Sequence, residues 1–202
     1  MHRLLYFLII PLSIFFLLNK SRDPTFLAKS ANTSLATTSR LKSHSSELLT
    51  YAKSNNYNTS YAFLVDMKMP SGNKRFFVYD LKKDSILKSG LVAHGYGNNS
   101  SSISFSNTSG SYCTSLGKYK IGNSYNGRFG LAYKLYGLDT TNSNAISRFV
   151  VLHSHGCVPD SAVAPKTICM SQGCPTVAPA FLTYLKPYLE HSVKPVLLYI
   201  FY

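Results

Sequence analysis

The chain has 202 residues and a formal net charge of +13 at pH 7, with 21 Lys and Arg against eight Asp and Glu. This length suits one domain with appendages and excludes two full domains, and 45% hydrophobic residues are enough to bury a core. Fifteen Tyr and twelve Phe, among many Ser, Thr and Asn, favour β-rich structure. The charge predicts an anionic partner, either nucleic acid, membrane or cell-wall polymer.

The N-terminus has the pattern of an export signal. A basic start at Arg3 precedes a fifteen-residue apolar run over residues 4–18, and basic residues follow it. The run is shorter than the roughly 20 residues of a membrane span and is typical of a signal peptide. Its small-residue cleavage site, at 28–30, is rather far downstream, so residues 1–22 are either a signal peptide or a retained membrane anchor. We expect an exported protein of the periplasm or cell envelope, which disfavours nucleic acid as the partner.

Residues 23–57 predict a linker followed by a short helix. Up to about residue 38 the sequence is rich in Ser, Thr and Ala without any periodicity, as linkers are. Four apolar residues after that point share one helical face: Leu41, Leu48, Leu49 and Ala52.

From residue 58 onwards, short apolar runs predict strands. "YAFLVDM", "RFFVYDL" and "ILKSGLVAHG" are separated by turn-type segments, which indicates three strands joined by hairpins. A long polar loop follows, with a strand at 118–121. "LAYKLYGL" and "RFVVLH" predict further strands, "APAFLTYLKPYL" a helix after Pro179, and "KPVLLYIFY" a buried C-terminal strand. The predicted fold class is mainly β with minor helices, over residues 58–202.

The segment "HSHGCVPDSAVAPKTICMSQGCP" holds two histidines and three cysteines within residues 153–175. Both histidines and Cys157 would share one face of a strand, so a zinc site completed by Cys169 and Cys174 is one interpretation. Structural zinc sites use tight C-x₂₋₄-C pairs, however, and the four residues between Cys169 and Cys174 are at the edge of that range. Acidic ligands are nearly absent nearby, so we expect no metal.

The other interpretation is a cysteine nucleophile with a histidine base. Cys174 directly follows Gly173, in a turn where backbone N–H groups can face a developing oxyanion. His153 ends the apolar run "FVVLH", and an imidazole can take the proton of a nearby thiol. Only the fold can bring the two together across 21 positions. On spacing alone, a buried structural histidine and cysteine is the simpler interpretation.

"VLHSHG" followed by "SQGCP" resembles the histidine and cysteine motifs of the L,D-transpeptidase catalytic domain, also called the YkuD-like domain. His153-Ser154 and the Ser-Gln-Gly-Cys of 171–174 match the family pattern. "VAHGYG", the segment 105–148 and the terminal "KPVLLYI" are similar to the murein L,D-transpeptidase subfamily, so the resemblance covers about residues 60–202. Two departures are Gln172, where the wider family often has His, and Pro175-Thr176, where Arg or Asn commonly follows the cysteine.

The resemblance implies a β-sandwich or barrel domain that acts on peptidoglycan stem peptides without metal or cofactor. Cys174 would attack the carbonyl of the third stem residue and expel the terminal D-alanine, while His153 takes the thiol proton. Ser154, or the backbone near it, would orient the imidazole. The N–H groups of Cys174 and Gly173 would hold the oxyanion. An amine of a second stem or of an anchored protein would then resolve the acyl-enzyme, and an anionic wall polymer would suit the basic surface.

Three further residues are candidates for substrate binding. Ser171 belongs to the matched motif, and Arg148 would either clamp a substrate carboxylate or pair with Asp139. His94 lies in the matched "VAHGYG" and is either a substrate contact or a plain loop residue. Two other functions stay open at this point: an L,D-carboxypeptidase or endopeptidase that uses water with the same residues, and a non-catalytic wall-binding module.

The four cysteines are expected to divide their roles. A nucleophile has to stay reduced, so we predict a disulfide between Cys157 and Cys169, which flank the loop between base and nucleophile. Cys113 would be a small packed residue, and Cys174 the only reactive thiol. Four reduced thiols are the alternative, because connectivity does not follow from sequence alone.

Overall fold

The computed structural model describes residues 24–97 and 102–202 of the chain. The predicted signal peptide or anchor at 1–22 lies outside the described residues. Within them, no helix combines the length and the apolar character that crossing a membrane requires. The chain divides into two units, residues 1–37 and a compact domain of residues 38–202. This domain therefore begins before the predicted boundary at residue 58.

The first helix, α1 (Pro24–Ser54), is longer than the short helix that the sequence predicts, because it includes most of the predicted linker. A proline is tolerated in the first turn, where the backbone N–H would lack a helical partner, and neither Pro nor Gly occurs again before the helix ends. The buried residues of its second half follow one stripe at spacings of four and three: Leu41, Ser45, Leu48 and Ala52.

Nine strands of the described residues form one sheet, in the order β3-β2-β1-β9-β5-β6-β7-β8-β4. They are β1 (Tyr61–Asp66), β2 (Phe76–Asp80), β3 (Ser85–Gly90), β4 (Val92–Ala93), β5 (Gly117–Gly127), β6 (Gly130–Gly137), β7 (Val151–Ser154), β8 (Thr176–Val177) and β9 (Leu197–Phe201). The pairs β1–β9 and β7–β8 are parallel, and all the other neighbours are antiparallel. The predicted hairpins joining the first three strands are confirmed.

The two edge strands of this sheet, β3 and β4, are consecutive in the chain and separated only by Leu91. Both edges therefore come close to one another, and the sheet curls into a nearly closed, barrel-like form. The prediction of a mainly β domain is confirmed.

The residues of β1 are buried on both faces of the sheet. Phe63 and Val65 belong to the core on one face, and the alternate residues Ala62 and Leu64 pack with the second half of α1 on the other. The second helix, α2 (Pro179–Glu190), is the predicted one and buries three side chains in the first core: Phe181, Leu182 and Leu185.

The hairpin of β5 and β6 brings its tip to strand β7. Gly127 pairs with Gly130, so that Arg128 and Phe129 form the turn, and Gly130 has φ +80, which favours glycine. Because Ala132 of β6 pairs with His153 of β7, the turn lies beside that histidine.

Candidate active site

His153 is held on a rigid strand beside the end of the predicted nucleophile loop. It is 7% exposed, and in the parallel pair of β7 and β8 it lies opposite Thr176. Cys174 lies in the bend two positions before Thr176. The cysteine and the histidine line the same cavity.

Both ring nitrogens of His153 have partners. Nδ1 lies 3.0 Å from the carbonyl oxygen of Ser154, and Nε2 lies 3.0 Å from the hydroxyl oxygen of Thr176. A carbonyl oxygen only accepts, so Nδ1 carries the proton and Nε2 is the basic nitrogen. The ring of Phe129 stacks on the imidazole with a centroid distance of 5.2 Å. The backbone of Ser154, rather than its side chain, thus fixes the tautomer.

The environment of His153 favours the neutral form of its imidazole. Burial lowers its pKa, the hydrogen bond to the Ser154 backbone opposes that shift, and the nearby His155 adds to it. A neutral imidazole with an unprotonated Nε2 is the form that can accept a proton from a thiol.

The thiol of Cys174 lies between two backbone groups of the segment that leads into β7. Its Sγ is 3.5 Å from the N–H of Val151 and 3.7 Å from the carbonyl oxygen of Phe149. Burial raises the pKa of this thiol, while the Val151 N–H and the charge of Arg148 oppose the shift. Phe149 has φ +55 and an 83% exposed side chain, a backbone conformation that is uncommon for a bulky residue. Strained backbone of this kind is frequent at functional sites.

The turn before Cys174 depends on glycine at position 173. Gly173 has φ +119, and a Cβ there would lie 2.9 Å from the carbonyl oxygen of Cys113. Its own carbonyl accepts a hydrogen bond of 3.1 Å from the Thr114 hydroxyl. The cysteine loop is therefore packed tightly against the segment around residue 113.

Two of the predicted site groups in this turn are hydrogen-bonded within the protein, and their roles toward substrate stay predictions. The Gly173 N–H, an expected oxyanion donor, donates to the Ser171 hydroxyl at 3.1 Å. That hydroxyl donates to the carbonyl of Cys174 at 2.6 Å, so Ser171 closes the turn and its Oγ is engaged within the protein. The N–H of Cys174 is the other predicted oxyanion donor.

Cys174 and His153 line the same cavity, of about 400 Å³. Its walls include Phe129 and Met170, and also both cysteines of a Cys157–Cys169 disulfide, whose Cα atoms are 6.1 Å apart. The predicted pairing is confirmed, and Cys113 and Cys174 are free, with Cys113 buried. Of the described residues, no three His, Cys, Asp or Glu are grouped as metal ligands would be.

The predicted pairing of Arg148 with Asp139 is wrong, while its role as a clamp for a substrate carboxylate stays a prediction. Its guanidinium donates to the carbonyl oxygens of Ser106 and Cys113 at 2.8 and 2.7 Å, and to the hydroxyls of Ser115 and Ser111. Asp139 instead pairs with Lys118, by a backbone hydrogen bond of 2.7 Å and an ion pair of 3.3 Å. Arg148 therefore secures the segment that supports the cysteine loop.

The other two histidines of interest have hydrogen-bond partners other than the thiol, although His155 lines the same cavity as Cys174. His155 is exposed, and its Nδ1 accepts a hydrogen bond of 3.1 Å from the Cys157 N–H. His94 bonds the guanidinium of Arg75 through Nδ1 at 2.8 Å and lines a second cavity. Neither is bonded to Cys174 or His153 in the hydrogen bonds described here.

Sequence reasoning missed Thr176 and Phe129, the two residues whose side chains contact the His153 ring. Alternation from Cys174 through a short strand would have placed Thr176 on the site face. Nothing local marks Phe129, because only the β5–β6 hairpin and its pairing with β7 bring that turn to the histidine.

The chain matches the model of the L,D-transpeptidase catalytic domain over residues 35–201. No curated protein sequence matches it significantly. Among solved structures it is similar to a cysteine-to-serine mutant of the Enterococcus faecium L,D-transpeptidase (12% identity, TM-score 0.44, 70% of this chain and 50% of that chain). It is also similar to the helical cell shape determining protein Pgp2 from Campylobacter jejuni (13% identity, TM-score 0.43, 70% of this chain and 47% of that chain). The chain thus spans about half the length of these structures. Since the domain match extends over most of the sequence, the chain belongs to the L,D-transpeptidase catalytic domain family.

Proposed function

We propose that this chain is a cysteine-dependent peptidoglycan L,D-transpeptidase that works through an acyl-enzyme at Cys174. The observation that carries the proposal is that Cys174 and His153 line the same cavity. Membership of a family that acts on peptidoglycan stem peptides supports the substrate class.

Acylation begins from a neutral thiol and a neutral imidazole. Nε2 of His153 takes the thiol proton as Sγ of Cys174 bonds to the carbonyl carbon of the third stem residue. The oxyanion is stabilised by the N–H of Cys174. The C–N bond to the terminal D-alanine then breaks, and its nitrogen takes the proton from the imidazolium, which leaves a thioester.

Thr176 stabilises the stage of the reaction in which the His153 ring is protonated. Its hydroxyl donates to Nε2 while the ring is neutral, and accepts from Nε2–H once the ring is protonated. In the second state its own proton can turn to the Cys174 carbonyl oxygen, 3.3 Å away. In the second half-reaction an acceptor amine bonds to the thioester carbonyl carbon and gives a proton to His153. The C–S bond then breaks, and the imidazolium returns that proton to Sγ of Cys174, which restores the thiol.

The proposal includes export of the protein and attraction of its positive charge to the cell wall. The disulfide supports an oxidising compartment, in keeping with the export signal predicted at residues 1–22. A net charge of +13 supports attraction to an anionic cell-wall polymer. Anchoring to the membrane by the N-terminus belongs to the same proposal.

The test is to incubate the purified protein with a disaccharide tetrapeptide, alone and with a second stem as the amine acceptor. Mass spectrometry of the protein should show the mass of the stem without its terminal D-alanine, attached at Cys174. Cys174→Ala should show no adduct, and Cys113→Ala, which removes the other free thiol, should behave as the wild type.

The products separate the possible reactions. Cross-linked dimers are expected from transfer. Trimmed tripeptides alone would replace the proposal with a hydrolase that uses the same residues. An unchanged substrate with an unmodified protein would leave only a non-catalytic wall-binding module.

A further inference from the structure

A second cavity, of about 410 Å³, lies next to the one that holds the thiol. The two share Tyr96 and Met170 as common walls. The second cavity is lined on its other sides by Arg75, His94 and Lys68, among others. A volume of this size is within the range of small-ligand sites, and a peptide lying across Cys174 could reach it past the shared walls.

Arg75 brings a buried positive charge to this cavity. It is 1% exposed, and its Nε and Nη2 donate to the carbonyl oxygen of Val92 at 3.2 and 3.0 Å. Nη1 donates to the carbonyl oxygen of Met69 at 3.0 Å. Burial lowers the pKa of the guanidinium to about 10, against the attraction of Asp66. Arg75 therefore stays protonated at neutral pH, with neutral carbonyls as its main acceptors.

Asp66 is the carboxylate that offsets the charges of Arg40 and Arg75 near this cavity. Asp66 is fully buried, and Arg40 donates to it through Nε at 2.9 Å and through Nη2 at 2.6 Å. Asp66 is thus shared by the guanidinium groups of Arg40 and Arg75. The ammonium of Lys68 is a third cation at the cavity wall. None of the described residues that line the cavity is an Asp or Glu. Because Asp66 is shared between Arg40 and Arg75, the buried charge of Arg75 is incompletely offset, and the exposed Lys68 adds positive charge at the same cavity.

His94 contributes a donor rather than a base. A guanidinium only donates hydrogen bonds, so Nδ1 of His94, 2.8 Å from Nη2 of Arg75, is an acceptor and the ring proton resides on Nε2. Burial lowers the His94 pKa to about 4, and the charge of Arg75 adds to the shift. At neutral pH the ring is a fixed N–H donor, which suits an anionic ligand and does not suit a cation.

We propose that this second cavity binds a carboxylate of the stem peptide while the bond to be broken lies at Cys174. The inference rests on the proposed function and extends it to what the enzyme recognises in its substrate. Two carboxylates have this chemistry: the C-terminal carboxylate of the residue that leaves, and the side-chain carboxylate of the diamino acid. Lys68 and the His94 N–H contact the ligand, and the positive charge of the buried Arg75 attracts it without contact.

The experiment measures binding to the Cys174→Ala protein by calorimetry, so that no turnover intervenes. Three tetrapeptides are compared: one with both carboxylates free, one with a C-terminal carboxamide, and one with the diamino-acid side chain amidated. We expect one of the two amidations to weaken binding about 10- to 100-fold, as loss of a charge-assisted hydrogen bond does. The carboxylate whose amidation has this effect is the one that the cavity binds.

Variants then show which residues cause the preference for a free carboxylate over an amidated one. Lys68 is exposed, so Lys68→Gln should fold normally and lose most of the discrimination, and His94→Gln should reduce it. Lys82→Gln removes an exposed lysine from the β2–β3 turn and should leave the discrimination unchanged. Equal binding of all three peptides by the wild-type cavity, or full discrimination by Lys68→Gln, would overturn the proposal.

Acyl-enzyme formation by the intact thiol is measured separately with the same peptides. Adducts at Cys174 that form equally with free and amidated peptides would preserve the transpeptidase and remove the carboxylate site. Selective binding without any adduct would preserve the carboxylate site and remove the acyl-enzyme mechanism.

Discussion

The hydroxyl oxygen of Thr176 lies 3.0 Å from Nε2 of His153, the ring nitrogen that carries no proton. The same oxygen lies 3.3 Å from the carbonyl of Cys174. Thr176 is 3% exposed, so water cannot readily replace this hydroxyl. We infer that Thr176 is a positioning residue, which holds the imidazole and stabilises its charged form.

Thr176→Val should lower kcat/KM by about 10- to 100-fold, the value of a hydrogen bond to a charged group. Thr176→Ser should keep most of the activity, because it keeps the hydroxyl. The pH profile distinguishes this role from simple packing, since loss of the bond to the imidazolium should lower the pKa of the essential base. An unchanged profile in Thr176→Val would refute the role.

His153→Ala should reduce the rate about 10²- to 10⁴-fold, as removal of a general base does. His155→Ala should cost far less, because His155 is exposed and its Nδ1 accepts a hydrogen bond from the Cys157 N–H. Steady-state rates of the two purified variants decide the matter. A larger loss at His155 would transfer the role of base to that ring.

Gly173→Ala should fold with lower stability and lose activity by about 10²-fold or more, since small displacements of reacting groups are costly. The added Cβ would lie 2.9 Å from the Cys113 carbonyl oxygen and push the thiol out of place. Gly110→Ala is the matched control: it has φ +74 but nothing within 4 Å of the added atom. That control should lose stability through backbone strain and keep its rate, and equal rates in both variants would contradict the role of crowding.

The disulfide should contribute about 3 kcal/mol to the free energy of unfolding in the chain-entropy model, because it closes a segment with a sequence separation of 12. Urea unfolding of the Cys157→Ser, Cys169→Ser double variant measures this contribution. Dithiothreitol should shift the wild type by the same amount and leave the double variant unaffected. A variant as stable as the wild type would show that the loop is held by other contacts.

Alkylation of Cys174 by iodoacetamide should accelerate with rising pH up to and beyond about 8.5, the ordinary thiol pKa. Burial raises the thiol pKa and lowers that of His153, so both shifts favour the neutral pair over a thiolate–imidazolium pair. Subtracting the rate of Cys174→Ala removes any contribution from Cys113. A plateau of reactivity that extends below about pH 6 would show a preformed ion pair.

Local pattern was enough to predict most of the strands, the helix α2 and the mainly β class, because alternation and apolar runs report burial directly. It did not predict the two-residue strand β8. The length of α1 was not predictable in this way. Its first half has no amphipathic stripe in the sequence, and a helix that packs along its second half extends backwards when no breaker interrupts it.

The candidate site was predictable where its reactive residues belong to a motif of adjacent residues. Cys174 and His153 came from a motif, and the disulfide came from the need to keep one thiol reduced. The hydrogen-bond partners of Arg148, Ser171 and the Gly173 N–H could not be anticipated, because they depend on the folded path of neighbouring segments. Long-range pairing decides such partners.

The central position of β9 has a consequence for how the domain folds. This strand lies between β1 and β5, so the strand nearest the start of the domain pairs with the last strand in the sequence. Until β9 has been synthesised, β1 and β5 each leave a row of unpaired backbone groups, and their association has to bridge most of the chain. Contacts of such high sequence separation slow folding. The sheet therefore cannot be completed until β9 has been synthesised.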